Sequence, residues 1–532
     1  MKKFRFLSFV ISLGIINAIC PFTISAQELT NDTNESVLLP RSGALPEGDD
    51  YKKLDFYGGD ISSSDVANDM QRSLPSYVDL SSDPCFPPLG DQGNLGSCTA
   101  FATTYYQFSY EVNKLNNITS SANRVVYSPK WTYNWINNGQ DGGSYVTDAL
   151  LVLRNYGALK ISDLPYDSNY TWIPGNTNLN SNEMIPERLE ALETRLSTFY
   201  SLTLQNYGTF ITESTDSNLN NIKNKLNNGK VLTTTTVPNF NYKYGYDHNN
   251  NQIKVNYRCY GSGGHTMTIV GYDDNVTCDV NNNGIIEDCE RGAFKLADSY
   301  GTNGTIYDTN GYMWVLYDAI NAVSANNVNA WEQNLPGIRT QAFCCETYSP
   351  TFWYINVSNY DVNYVGEIDI NTGSYELGDS QYKIGRSSTG NDPNYVNSNM
   401  LPVKIGPGAY NGKIFFDYHN LCPYIHLYLS GYNWYVNFNP LYGNYNLKAV
   451  DNLYNLIANY GNQNNVAEKN VNISTMLGDL NYSGNLSLAD STMVQEYLLQ
   501  LREFSTLQKV LADCNQDGII DMSDAVYIEQ HM

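Results

Sequence analysis

The chain has 532 residues, with 31 Lys and Arg against 54 Asp and Glu, for a formal net charge of -23. That balance offers no basic face to a polyanion and argues against a nucleic-acid partner. The length predicts two to four domains, and ten cysteines are too sparse for a disulfide scaffold.

Residues 1–26 read as a secretory signal peptide. Met1-Lys2-Lys3-Phe4-Arg5 is a basic head, Phe6 to Ile19 is apolar, and Ile24-Ser25-Ala26 is a small-residue exit with cleavage expected after Ala26. No other segment approaches ~20 continuous apolar residues, so no membrane span is expected. Residues 27–74 are polar, carry Gly-Asp, Pro and Ser turns, and read as a leader or prosegment.

A domain over 75–344 follows. Its most informative stretch is Asp91-Gln92-Gly93-Asn94-Leu95-Gly96-Ser97-Cys98-Thr99-Ala100-Phe101-Ala102. Phe101, Tyr105, Phe108 and Tyr110 to Val112 recur at roughly helical spacing, which puts Cys98 in the first turn of a helix. A helix N-terminus favours anions, so a thiol there suits nucleophilic attack once a base and an oxyanion donor are supplied. Gln92, six residues upstream, is the candidate donor. Asn218 to Gly229 reads as a short helix before a strand from Val231 to Val237.

The candidate base is His265, at the start of the strand-like run Gly263-Gly264-His265-Thr266-Met267-Thr268-Ile269-Val270-Gly271-Tyr272. The next such run, Gly292 to Gly301, ends in Asp298, a carboxylate suited to orient the imidazole. Cys98, His265 and Asp298 thus form a candidate nucleophile, base and orienter in chain order. A lone cysteine at a helix start is more often a small buried hydrophobe, and Gln92 and His265 in this order reverse that reading. His248, His419 and His426 lack such context and read as surface or packing residues.

Between the two strands lies Asp279-Val280-Asn281-Asn282-Asn283-Gly284-Ile285-Ile286-Glu287-Asp288-Cys289-Glu290. Its oxygen-bearing positions one, three, five, nine and twelve, glycine at six and backbone carbonyl at Ile285 match a calcium loop, against the alternative of a polar hairpin. Cys278 and Cys289 bracket it and are candidates for a disulfide, although loop ends can lie too far apart for one.

These motifs resemble the papain-like cysteine peptidases between Val78-Asp79-Leu80 and about Ala330. The matching pieces are Gln92-x5-Cys98, Asp141-Gly142-Gly143-Ser144, Leu164-Pro165-Tyr166, His265 with Ile269-Val270-Gly271-Tyr272, and Ala297-Asp298-Ser299-Tyr300-Gly301. The resemblance implies a helical half carrying the cysteine, a β-rich half carrying the histidine and a cleft between them. Gly142 and Gly143 would then leave room for the substrate backbone, and Tyr300 would shield the His265 and Asp298 pair. The chain departs from the family at Leu95 (usually Cys), Thr99 (usually Trp), Asp298 (usually Asn) and Tyr300 (usually Trp).

From 345 to 460 short alternating runs, among them Phe352 to Val357, Lys413 to Phe416, Tyr424 to Leu429 and Trp434 to Phe438, predict a β-sandwich-like accessory module. Its aromatics suit core packing, with carbohydrate contact as the functional alternative. Residues 461–474 are Asn-rich and read as a linker.

Over 475–532 a cation loop is repeated. Asp479, Asn481, Ser483, Asn485, Ser487 and Asp490 recur as Asp513, Asn515, Asp517, Ile519, Asp521 and Asp524, with Gly484 and Gly518 at position six. A helix with Val494, Tyr497, Leu498 and Leu501 on one face separates the copies, which argues for calcium-dependent folding. The duplication resembles a dockerin, the module that plugs into a cohesin on a cellulosome scaffold. The resemblance implies cohesin contacts at Leu488, Ala489, Met522 and Ser523.

The expected fold is α+β and multidomain: a two-lobed papain-like peptidase, a β-sandwich-like module and a small all-α dockerin. The expected protein is a secreted, scaffold-bound cysteine endopeptidase at a bacterial cell surface, with protein or peptide substrates and calcium at two dockerin sites and a third in the peptidase. A transglutaminase-like acyltransferase also uses Cys, His and Asp in that order, and a non-catalytic binding subunit is the rival from another class.

Overall fold

A computed structural model describes residues 43–45, 49–54, 57–61, 74–177, 184–203, 214–236, 238–260, 263–320, 351–378, 381–387, 395–397, 405–417, 433–439, 444–464, 468–472 and 476–532. The expected signal peptide, His419, His426 and the expected strand Tyr424 to Leu429 lie outside these residues. The architecture is α+β and multidomain.

The first strand is β1 (Tyr57–Asp60), and β2 (Tyr77–Asp79) opens the domain that carries Cys98 and His265. Helical backbone then runs without a break through α1 (Cys98–Ala100), a π-wound stretch (Phe101–Phe108) and α2 (Ser109–Leu115). Every residue from Cys98 to Asn113 is buried, the polar ones included. Buried polar groups need partners, and here the surrounding strands supply them. The Ala102 carbonyl accepts from the hydroxyls of Thr268 (3.2 Å) and Thr233 (3.4 Å), while Gln107 Nε2 donates to the carbonyls of Val231 and Trp353. The helix is thereby fixed to the β-rich half by directional bonds as well as by apolar contact.

Helices α3 (Pro129–Ile136), α4 (Val146–Asn155) and α5 (Ile185–Ala191) complete the helical half, and β3 (Thr194–Thr203) follows. Helix α6 (Ser214–Asn227) precedes β4 (Leu232–Thr236), as the sequence predicts to within a few residues. The next strands are β5 (Asn239–Tyr246), β6 (Gln252–Tyr260), β7 (His265–Thr277), β8 (Arg291–Ala297) and β9 (Tyr312–Leu316), and the short helix α7 (Tyr317–Ile320) follows β9. They pair in the order β7-β5-β6-β9-β8, and β8 pairs again with β7, so the five strands close on themselves. Phe240, Val255, Met267, Ile269, Phe294, Leu296 and Met313 belong to the apolar cluster of this half. The β7 and β8 register sets Thr268 opposite Ala297, which brings the start of β7 beside the residue that follows β8.

Strand β10 (Thr351–Asn359) pairs with β3 and β4, so it extends the sheet that carries His265 rather than joining the strands after it, where alternation alone puts it. An isolated strand pattern carries no record of its partner. The accessory module consists of two four-stranded sheets. One holds β11 (Val365–Gly378), β14 (Ile405–Asp417), β16 (Asn444–Val450) and β17 (Leu456–Asn464), and the other holds β12 (Gln381–Ser387), β13 (Tyr395–Asn397), β15 (Asn433–Asn439) and β18 (Glu468–Asn472). The stretch 461–474, expected as a linker, thus carries the end of β17 and all of β18. Its asparagines hide the pattern because backbone pairing, not apolar alternation, holds it in the sheet.

Buried Arg195 of β3 forms an ion pair with buried Asp417 of β14, and apolar residues of the helical half, the accessory sheet and the C-terminal module share one cluster. The C-terminal module has helices α8 (Leu488–Leu498), α9 (Thr506–Ala512) and α10 (Met522–His531). Val494 is fully buried, whereas Leu501 falls beyond α8 and is 76% exposed, so it does not belong to the packed face expected for it. Among the described residues no helix is long and apolar enough to cross a membrane.

Candidate active site and cation loops

Cys98, His265 and Asp298 are all fully buried, on α1, at the first residue of β7 and directly after β8. His265 Nε2 lies 2.8 Å from Asp298 Oδ1, which also accepts from the Ser299 amide at 2.7 Å. The other ring nitrogen, Nδ1, is buried and without a hydrogen-bond partner, and Cys98 is a neighbour of the imidazole. Burial alone would lower the imidazole pKa, but the Asp298 carboxylate outweighs it, with Cys98 adding to the effect, and raises it to about 10. The ring is therefore an imidazolium at neutral pH, with one N–H on Asp298 and the other free for the thiol side. Tyr300 is buried and lies stacked beside it, with ring centroids 6.0 Å apart.

The loop before Cys98 is held from several directions. Gln92 is buried; its Nε2 donates to the Leu95 carbonyl at 2.7 Å, leaving its second N–H, and its Oε1 accepts from the Ser299 hydroxyl. Asp141 Oδ1 accepts from the Gly96 amide at 2.7 Å and from the Tyr133 hydroxyl. Tyr166 hydroxyl donates to the Gln92 carbonyl at 2.9 Å and stands 2.6 Å from the Ser97 hydroxyl. Ser299, Tyr133 and Ser97 are not singled out by the sequence; Ser299 adjoins Asp298 and Ser97 adjoins Cys98, and these positions are the hints that point to them.

Three leader residues run through the same place. The Gly43 and Ala44 amides donate to the Gly264 carbonyl at 2.8 and 2.9 Å, the Leu45 amide donates to the Ser144 carbonyl at 2.9 Å, and the Ser144 amide donates to the Gly43 carbonyl at 2.8 Å. The leader is therefore bonded to the residue before His265 on one side and to the residue after Gly142-Gly143 on the other. The approach is close enough that a Cβ on Gly143, whose φ is +89°, would sit 2.5 Å from the Gly43 carbonyl oxygen, and a Cβ on Gly43 would sit 2.3 Å from that of Gly96. Gly142 faces open space.

Outside this group, His248 bonds through Nδ1 to Asp273 at 2.8 Å and packs on Tyr77, as expected of a packing residue. Cys278 carries a free, buried thiol, so the disulfide considered from its spacing to Cys289 is not formed.

The three cation loops share one hydrogen-bond scheme. The position-one aspartates Asp279, Asp479 and Asp513 each accept from the amides of positions five and six, at 2.7 to 3.1 Å. The position-twelve carboxylates Glu290, Asp490 and Asp524 each accept from the amides of positions two, three and nine. Position four has positive φ at Asn282, Tyr482 and Gln516, and position six has φ of +80°, +84° and +85° at Gly284, Gly484 and Gly518. Asn281, Asn283 and Glu287 of the peptidase loop bond to one another, and Ser483 donates to the Asn485 carbonyl. Leu488, Ala489, Met522 and Ser523 are exposed at the starts of α8 and α10.

Residues 477–532 match the dockerin type I domain. Dockerins of this type bind calcium, and the side-chain oxygens and position-six glycines above suit a hard cation. The dockerin packs on the accessory module, where Tyr482 donates to Asp451 at 2.8 Å and the Thr506 amide donates to Asn452. Solved structures similar to this chain include xylellain, a cysteine protease from Xylella fastidiosa (18% identity, 61% of this chain and 99% of that one, TM-score 0.37). Others are procathepsin B S9 from Trypanosoma congolense (14%, 60% and 87%, 0.35) and digestive procathepsin L2 from Tenebrio molitor larval midgut (16%, 59% and 78%, 0.36). No curated protein matches the chain.

Proposed function

We propose that the protein is a secreted cysteine endopeptidase, attached through its dockerin to a cohesin on a cellulosome scaffold. The observation that carries the chemistry is the buried His265 ring, with Nε2 committed to Asp298 and Nδ1 left to Cys98. In this reading Cys98 Sγ attacks the substrate carbonyl carbon, and the resulting oxyanion is held by the Cys98 backbone N–H and the remaining Gln92 N–H. His265 Nδ1 gives its proton to the leaving amine and later takes one from the water that releases the acyl group. Asp298 holds the imidazolium in place throughout.

Residues 43–45 then block the cleft by pairing with its two walls, Ser144 and Gly264, and removal of the leader frees it. Calcium would be held by Asp479, Asn481, Ser483, Asn485, Ser487 and Asp490, by Asp513, Asn515, Asp517, Ile519, Asp521 and Asp524, and in a third site by Asp279, Asn281, Asn283, Ile285, Glu287 and Glu290. Leu488, Ala489, Met522 and Ser523 would face the cohesin.

The deciding experiment is titration with the epoxide E-64 alongside peptide hydrolysis, with and without Cys98→Ala. Stoichiometric labelling and turnover, both lost in the variant, are expected. Labelling of neither protein after leader removal would leave a non-catalytic subunit, and amine incorporation in place of hydrolysis would indicate an acyltransferase.

A further inference from the structure

Asp298 has a second buried carboxyl beside it. Asp298 Oδ1 is used twice, by His265 and Ser299, and its main-chain carbonyl accepts from the Tyr106 hydroxyl at 2.6 Å, but Oδ2 is buried with no partner. Asp308, 5% exposed in the turn before β9, has the same imbalance: Oδ2 accepts from the Thr305 amide at 2.6 Å and Oδ1 is buried with no partner. The two side chains are near enough for the Asp298 charge to act on the Asp308 carboxyl. Among the described residues the cation paired with either carboxyl is His265, and no lysine or arginine joins them. Two buried acceptor oxygens without donors are costly, and two carboxylates in contact do not both ionise. One proton between them removes both penalties.

We propose that Asp308 is held as the neutral acid and donates from Oδ1 to Asp298 Oδ2, fixing the carboxylate that orients His265. Burial and the Asp298 charge both push the Asp308 carboxyl well above the usual carboxylate range, which supports the assignment. Asp308 is then a positioning residue: it touches neither substrate nor Cys98, and acts by completing the coordination of Asp298. An asparagine orienter needs no such proton donor, because its amide brings its own N–H groups; the carboxylate at 298 and the acid at 308 belong together. The effect on turnover rests on the peptidase reading, whereas the shared proton does not.

The test uses the full chain and its Asp308→Ala and Asp308→Asn variants, all given the same activation treatment. Asp308→Ala removes the donor and should lower kcat roughly 10- to 100-fold with little change in KM, while Asp308→Asn, which keeps an N–H at the same place, should recover most of the loss. In an Asp298→Asn background the Asp308→Ala penalty should shrink severalfold. Infrared difference spectra of the full chain against Asp308→Asn at neutral pH should show the carbonyl stretch of one protonated carboxylic acid. Full kcat in a folded Asp308→Ala, equal losses in the two variants, or absence of the acid band would each overturn the proposal. If Asp308→Ala does not fold, the infrared comparison with Asp308→Asn still decides it. An acid band in a wild-type chain that hydrolyses no peptide would sustain the shared proton and defeat the peptidase reading instead.

Discussion

The hydroxyls of Thr99 and Thr266 lie 3.2 Å apart, each on the residue that follows a candidate catalytic group in the chain, Cys98 and His265. The Thr99 hydroxyl also reaches the Ser144 carbonyl at 3.3 Å. One buried side chain thus links the helix of Cys98, the strand of His265 and the segment of Ser144. The resemblance to papain-like peptidases leads one to expect tryptophan at this position, which has no hydroxyl to make such a bond.

Thr99→Val should therefore cost more than its size suggests. It preserves shape but removes the hydroxyl, leaving Thr266 only its longer contact with the Thr235 hydroxyl (3.4 Å) and the Ser144 carbonyl without its bond from Thr99, a loss of about 1–3 kcal/mol for a buried group. Chemical denaturation should show that loss and steady-state kinetics should show a lower kcat. A destabilised variant with unchanged kcat would limit the pair to a structural role.

Gln92→Ala should lower kcat roughly 10²-fold, the usual effect of deleting one oxyanion donor. Because Gln92 also accepts from Ser299 and donates to Leu95, alanine alone confounds catalysis with loop packing. Gln92→Glu retains the acceptor for Ser299 and loses the amide, and should be nearly as slow. Near-normal turnover in Gln92→Glu would remove the side chain from the oxyanion site.

The pH response should follow the sign of the His265 shift. The imidazole value is raised from its ordinary 6.5 to about 10, so the pair contributes stability in full below pH 6.5 and loses it as pH rises through about 10. Activity that needs the imidazolium should share that alkaline limb. Asp298→Asn removes the carboxylate that opposes burial, and should move the limb of kcat/KM down by about one unit or more. An unmoved limb would show that another group titrates there.

The helix that begins at Cys98 and the strand that begins at His265 were legible because each leaves a local signature: helical spacing after Cys98, β-branched alternation after His265, glycines around the loop. Loop chemistry was equally plain, since a calcium-type loop needs particular residues at fixed positions within twelve. What stayed hidden depends on contacts between distant residues. Nothing local marks Asp308 as the neighbour of Asp298, Thr99 as the partner of Thr266, or β10 as a strand of the peptidase sheet. Gly43 to Leu45 were equally silent, because a segment that pairs through its backbone needs no distinctive side chain. The asparagine-rich 461–474 stretch misled for the same reason.

The dockerin should fold only with calcium, since both loops must order before α8 and α10 can pack. Circular dichroism of residues 476–532 with and without chelator measures this directly, and identical spectra would contradict it. A chain ending near Asn472 should keep peptide hydrolysis and lose cohesin binding. Its accessory module should be slightly less stable, because Asp451 and Asn452 lose Tyr482 and Thr506 as partners.

Calcium should also act on catalysis through the peptidase loop. Asp279 to Glu290 joins β7, which starts at His265, to β8, which ends beside Asp298, and its bonds match those of the two dockerin loops position by position. The β7 and β8 register is irregular between Asp273 and Thr277, next to this loop, so the loop is the local constraint on how the strands enter their pairing. A shift of about 1 Å in the relative placement of reacting groups costs on the order of 10²-fold in rate. The pair Asp279→Ala and Glu290→Ala removes the position-one and position-twelve carboxylates and frees five backbone amides. It should lower kcat in a chain that lacks the dockerin, and chelation should do the same to the unsubstituted truncated chain. The measurement is turnover of that truncated chain across a calcium titration, with bound metal counted in parallel. A flat response with no bound ion would reduce the loop to a hairpin held by its own hydrogen bonds.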